Sequence, residues 1–143
     1  MKKHFLFVPV LILFAGLYGC ATPLTSGQSQ ELRAYQGKGL AVEEKNVSAA
    51  AALGLLPGGG SFYTRNYGIG VVNLLFWPAS ILWDPISGLN GAKSINYYAT
   101  RASVNRHQQH DLDQLDDALM AGTLTKVEYV REKREVQDKY SPY

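Results

Sequence analysis

Apolar and polar positions fall into four successive textures along the chain. Phe5 to Leu17 is an apolar run behind Lys2 and Lys3. Residues 21–45 are polar and interrupted by Pro23, Gly27, Gly37 and Gly39. Such composition buries no core and predicts a flexible tether over 20–45, in which Leu32 and Tyr35 form at most one helical turn. From Asn46 the chain turns apolar. Asn46 or Ser48 caps a helix through Ala49–Leu56, and Pro57 with Gly58, Gly59 and Gly60 ends it. Ser61 to Tyr67 is an aromatic, polar bend, and Gly68 to Trp83 is apolar again. The pattern predicts two antiparallel helices joined by a glycine-rich hinge. Beyond it, Ile86, Leu89, Ala92, Ile95, Ala99 and Ala102 recur every three or four positions, which predicts a helix from Pro85 to about Arg106. Leu112, Leu115 and Leu119 share one face of a further helix that Gly122 closes. Thr125 and Glu128 form a capping box for a last helix reaching about Asp138.

The apolar hairpin poses a membrane question. Neither Asn46–Tyr63 nor Asn66–Trp83 contains a charged residue or a histidine. Each arm is roughly 16–18 residues, short of the about 20 needed for a perpendicular span. Ala50, Gly54 and Gly58 lie four apart, a spacing that lets helix backbones approach closely in lipid. Phe62, Tyr63, Tyr67, Phe76, Trp77 and Trp83 cluster at the arm ends, as headgroup-seeking aromatics do. Embedding or re-entrant insertion is the expectation; a water-soluble hairpin and a hairpin buried in an oligomer are the alternatives. Asp84 stands at the edge of this region, where an acid invites a functional reading. Asp84-Pro85 is equally a helix start, a capping Asp with proline at the first helical position, and that reading explains both residues.

Leu17-Tyr18-Gly19-Cys20 closes the N-terminal apolar run on the single cysteine of the 143 residues. With the basic start and the small residues Ala15, Gly16 and Gly19, it resembles the lipobox of bacterial lipoproteins; Tyr18 departs from the small residue usual there. The resemblance implies a signal peptide over 1–19, cleavage before Cys20 and lipid on its thiol and new amino terminus. Ala21, in place of the Asp that retains such proteins at the inner membrane, favours the periplasmic face of the outer membrane. An acylated Cys20 leaves no thiol for disulfides, catalysis or metal binding. The precursor carries a net charge of +2, and removal of Lys2 and Lys3 leaves 12 basic against 12 acidic residues. Nucleic acid, which needs a basic surface, is therefore not the expected partner.

Two further resemblances rest on motifs. Gly59-Gly60-Ser61-Phe62-Tyr63, then Tyr67-Gly68-x-Gly70-x-x-Asn73-Leu74, then Trp83-Asp84 resemble the small two-transmembrane-helix hairpin family over about 40 residues. Members often carry His-Arg before the Phe-Tyr pair, where Gly60-Ser61 stands here. The resemblance implies a topology rather than a chemistry. The pattern Leu115-x-x-x-Leu119-x-x-Gly122-x-Leu124-Thr125-x-x-Glu128-Tyr129-x-x-x-Lys133 resembles the short C-terminal domain abbreviated SHOCT over about 25 residues. That implies an oligomerisation or docking role, with Leu115, Leu119, Leu124 and Tyr129 making protein contacts. Two short helices bury too little apolar surface to stand alone, so this face meets another copy, an envelope partner or its own chain.

Candidate chemistry is sparse. The Gly58–Gly60 run lacks the Gly-Lys-Ser/Thr and the preceding strand of a phosphate loop. His107, His110 and Asp111 form the sole metal-like cluster, on a wholly polar stretch without the further fixed ligands a zinc site needs. No catalytic residue, metal or cofactor is expected. The chain is expected to be mainly α: signal peptide 1–19, lipid-anchored tether 20–45, glycine-hinged apolar hairpin with its following helix 46–106, and helical hairpin 107–140. The expected function is non-enzymatic, a structural, scaffolding or oligomerisation role at the envelope membrane. The alternatives are an accessory subunit of an envelope transport or stress system, and a histidine-based metal protein.

Overall fold

Local signals set most of the helix boundaries. The computed structural model describes residues 21–143, and among them it is mainly helical with no strand. The apolar run 5–17, Cys20 and the signal peptide expected over 1–19 lie outside the described residues. Helix α1 is Ser26–Gly37, α2 Val47–Leu53, α3 Gly59–Tyr63, α4 Tyr67–Leu75, α5 Asp84–Met120 and α6 Lys126–Tyr140; a 3-10 turn occupies Ala79–Leu82.

Helix α1 extends over Ser26–Gly37, where the sequence pattern allowed a single turn at Leu32 and Tyr35. Thr25 accepts from the amide of Gln28, and the Gln28 side chain accepts from the amide of Thr25, a complete capping box. Leu32 and Tyr35, three apart, are buried. Two apolar positions suffice here because other helices supply the remainder of the core.

The two long arms are also corrected. Asn46 caps α2 through its side-chain oxygen, 2.8 Å from the amide of Ala49, but the helix ends at Leu53. Helix α3 is a single short piece, and α4 stops at Leu75. Pro78 has no amide to donate and disfavours helical geometry at Trp77, so the apolar run cannot continue as one helix. Among the described residues no helix is long and apolar enough to cross a membrane.

Helix α5 is 37 residues long. It joins the helix expected at 85–106 to the further helix expected before Gly122, so the boundary at 106/107 falls within it. No glycine or proline occurs from Ala92 to Ala121, and the polar residues around His107 continue the helix without strain. Gly122 follows at φ +71°, the left-handed geometry that closes a helix most easily with glycine. Thr125 and Glu128 form the expected capping box of α6.

The chain divides into two compact units, residues 44–95 with 21–24, and residues 25–43 with 96–143. The second unit packs Tyr35, Val104 and Tyr140 at its centre, with Leu40, Ala41 and Val136 against them. Thr100 holds the 40–43 strap, accepting from the amide of Val42 at 2.9 Å. Tyr97 donates to Glu31 at 2.6 Å. Lys38 donates to the carbonyls of Asp138 and Ser141, at 2.8 and 2.7 Å, at the C-terminal end of α6, where a cation suits the helix dipole.

Candidate functional site

The first unit is built around backbone contacts between small residues. Ala50 on α2 and Ala92 on α5 are fully buried. A β-carbon on Gly88 would lie 2.5 Å from the carbonyl oxygen of Ala50 and 3.0 Å from the Cα of Gly60. One on Gly54 would strike the backbone of Pro85, and one on Gly91 would lie 2.9 Å from Thr64. The spacing noticed at Ala50, Gly54 and Gly58 is thus used in part. Ala50 and Gly54 face α5, whereas Gly58 leaves the helix at φ +69° to head α3.

Into this small-residue packing the fold places a closed set of polar side chains. Asp84 is fully buried. Its carboxylate accepts from the amide of Gly60 at 3.1 Å, the hydroxyl of Ser61 at 2.5 Å and the side-chain amide of Asn73 at 2.7 Å. Asn73 also donates to Ser61 at 3.1 Å and accepts from the indole N–H of Trp83 at 2.9 Å. Thr64 donates back to the carbonyl of Gly60 at 3.0 Å. The expectation that Asp84 caps its own helix is corrected: the helix does begin there, but the carboxylate reaches across to α3 and α4. A carboxylate that accepts three hydrogen bonds meets the condition for burying such a group. With Asp84 and Ser61 fully buried and Asn73 almost so, the cluster presents nothing to a substrate. It ties together α3, α4 and the start of α5.

The remaining positions singled out from sequence fall around this cluster. Gly59 opens α3, and its approach to the carbonyl of Leu53 leaves no room for a side chain. Phe62 lies over Gly58 and Gly70, where a β-carbon on Gly70 would come within 2.7 Å of the ring. The Tyr63 hydroxyl accepts from the amide of Asn46 at 3.1 Å, and Lys45 stands 4.5 Å over its ring. Gly68 faces open space. Trp77 and Trp83 are 51% and 37% exposed. The sequence motif includes Ser61 and Asn73 without giving them a role, and Ser80 stands outside it; all three are polar residues within otherwise apolar segments, which is the available signal.

The outer surface inverts the usual order. On α4, Gly70 and Asn73 face inward, while Tyr67, Val71, Val72, Leu74 and Leu75 face out. Phe76, Trp77, Leu82 and Ile86 follow in the chain and are more than half exposed, as are Leu55 and Leu56. Among the described residues Ser80 supplies the sole buried side-chain polar atom without a hydrogen-bond partner, its hydroxyl. Desolvation of an unpaired hydroxyl costs about 1–3 kcal/mol by mutational measures. Ser80→Ala is expected to raise the stability of the first unit by about 1 kcal/mol, read from the midpoint of tryptophan-detected unfolding.

In the second unit Leu115, Leu119, Leu124 and Tyr129 are half-buried, whereas Met120 and Val127 are about four-fifths exposed. An open groove of ≈ 590 Å³ between α5 and α6 is lined by Asp111, Leu115, Arg131, Glu135, Val136 and Lys139 among others. The histidine cluster is not assembled as a ligand set. Asp111 accepts from Lys139 at 3.0 Å and from the hydroxyl of Tyr140 at 2.8 Å, and His110 faces Gln114 at 3.2 Å.

The hydrogen bonds from Lys139 and then Tyr140 hold the Asp111 carboxyl below its ordinary range. A carboxyl depressed in the folded state contributes stability that is present above its unfolded value, about 3.9, and is lost as pH falls through the folded value. Docking of α6 is therefore expected to loosen on acidification below about pH 4. Asp111→Asn is expected to flatten that dependence, as measured by the Tyr140 resonances across a pH titration.

No protein-family model, curated protein or solved structure matches the chain.

Proposed function

We propose that this chain is a small, non-enzymatic lipoprotein of the bacterial cell envelope, held by lipid on Cys20 at the periplasmic face of the outer membrane. Its role there is structural. The first unit engages the membrane, and the α5–α6 hairpin, through Leu115, Leu119, Leu124 and Tyr129, contacts a second copy or an envelope partner. The inverted polarity of the first unit carries this reading: serine, asparagine and aspartate lie inside, while leucine, valine, phenylalanine and tryptophan lie outside. Exposed apolar patches of this kind mark membrane or protein interaction surfaces. The N-terminal motif ending at Cys20 supports the envelope address.

The test is to secrete residues 21–143 behind a cleavable signal without the lipid site and to wash the membranes. Retention in the membrane fraction is expected, and recovery in the soluble fraction overturns the membrane role of the first unit. Cross-linking in intact cells is expected to trap a homo-oligomer or one envelope partner, and Leu119→Asp to abolish the trapped species. If neither species forms, the scaffolding role falls.

A further inference from the structure

We infer that the first unit sits in one leaflet of the bilayer as a wedge, its apolar face serving as the membrane-binding surface. The inference rests on the membrane reading above and specifies its geometry. The occupant of the apolar face is the acyl region of a lipid leaflet.

Four observations carry it. The first is the position of Ala21, next in the chain to Cys20. The amide of Ala21 donates to the Ser87 hydroxyl at 3.2 Å, in the first turns of α5. Lipid on Cys20 is therefore attached one residue from this contact. The second is charge. Residues 46–64 and 66–83 carry no charged side chain, and Arg65 between them is paired with Glu44 at 2.7 Å. A face made for another protein normally has a charged or polar rim; this one has no charged residue along its own segments. The third is internal satisfaction. Asp84, Ser61, Asn73 and the Trp83 N–H bond to one another, as groups facing hydrocarbon must. The fourth is length. Helix α4 has nine residues, about 14 Å at 1.5 Å per residue, against about 30 Å for the hydrocarbon core. It fills a leaflet and cannot fill a bilayer. Arg65 stands at one end of α4 and Trp77 beyond the other.

The experiment uses the full mature lipidated chain reconstituted into vesicles of phosphatidylcholine and phosphatidylglycerol. Trp77 and Trp83 are the only tryptophans, so their emission reports on this face alone. Vesicles containing phosphatidylcholine brominated along its acyl chains are expected to lower that emission relative to unbrominated vesicles. Gly68→Cys, at a position with open space around it, and Gln137→Cys, exposed on α6, are labelled separately with a membrane-impermeant maleimide. Both are expected to react before the vesicles are lysed. Reaction of Gly68→Cys only after lysis, with Gln137→Cys reacting before, shows a spanning hairpin; it overturns the wedge and leaves the membrane reading standing. Absence of quenching overturns both. If a cross-linked oligomer accompanies that absence, the apolar face belongs to a second copy.

Discussion

Asp84→Ala is expected to unfold the first unit under conditions where the second remains helical. The substitution leaves the Gly60 amide, the Ser61 hydroxyl and the Asn73 amide without their acceptor in a site closed to water. Each buried group left unsatisfied costs about 1–3 kcal/mol, so the sum is about 3 kcal/mol at the least. Whole domains are stable by only about 5–15 kcal/mol. The readout is direct, because both tryptophans belong to the first unit and Trp83 is hydrogen-bonded to Asn73. Their emission is expected to shift to the red, while the circular dichroism of α6 and the lower part of α5 persists. Asp84→Asn keeps one acceptor oxygen and the volume but turns a donor toward the donors that face it. It is expected to fall between wild type and Asp84→Ala. Equal stability of all three would show that the cluster is not what joins α3, α4 and α5.

A pair of chemically identical substitutions should have opposite signs. Gly88→Ala places a β-carbon 2.5 Å from the Ala50 carbonyl oxygen and 3.0 Å from the Gly60 Cα. Both obstacles are backbone, so no side chain can swing aside and two helices must part. Overpacking typically costs about 1–3 kcal/mol, and backbone obstruction puts this case at the upper end. Gly68→Ala meets nothing within 4 Å and lies in the first turn of α4. There alanine gains about 1 kcal/mol of helix propensity. The two variants are therefore expected to differ by about 4 kcal/mol in tryptophan-detected denaturation. A Gly88→Ala variant as stable as wild type would rule out the close α2–α5 packing.

What the sequence made legible was local. The Thr125–Glu128 capping box, Asn46 at the head of α2 and Gly122 at the close of α5 are each specified within four residues, and all three stand where the pattern puts them. The mainly helical fold follows from the same signals. The Thr25–Gln28 box was equally local, but the surrounding polar residues concealed the helix it starts. The role of Asp84 was not legible. Its proline neighbour offered a sufficient local explanation, while its donors lie 11, 23 and 24 residues away. Helix length was misjudged for a related reason. Hydropathy separates apolar from polar stretches, yet Gly58 and Pro78 divide those stretches into pieces whose ends are set by backbone geometry. The small-residue stripe on α5 at Gly88, Gly91 and Ala92 becomes meaningful only against Ala50, Gly60 and Thr64.

The inverted polarity of the first unit bears on how it responds to temperature. Ordinary domains gain about 12–15 cal/mol/K of heat capacity per residue on unfolding, because they expose buried apolar surface. Here Leu75, Phe76, Trp77, Leu82 and Ile86 are already exposed, and what unfolding uncovers is largely glycine, serine, asparagine and aspartate. Polar exposure lowers heat capacity. The increment for this unit should therefore lie well below the ordinary range, its stability should vary little between cold and warm conditions, and its dependence on urea should be shallow for its size.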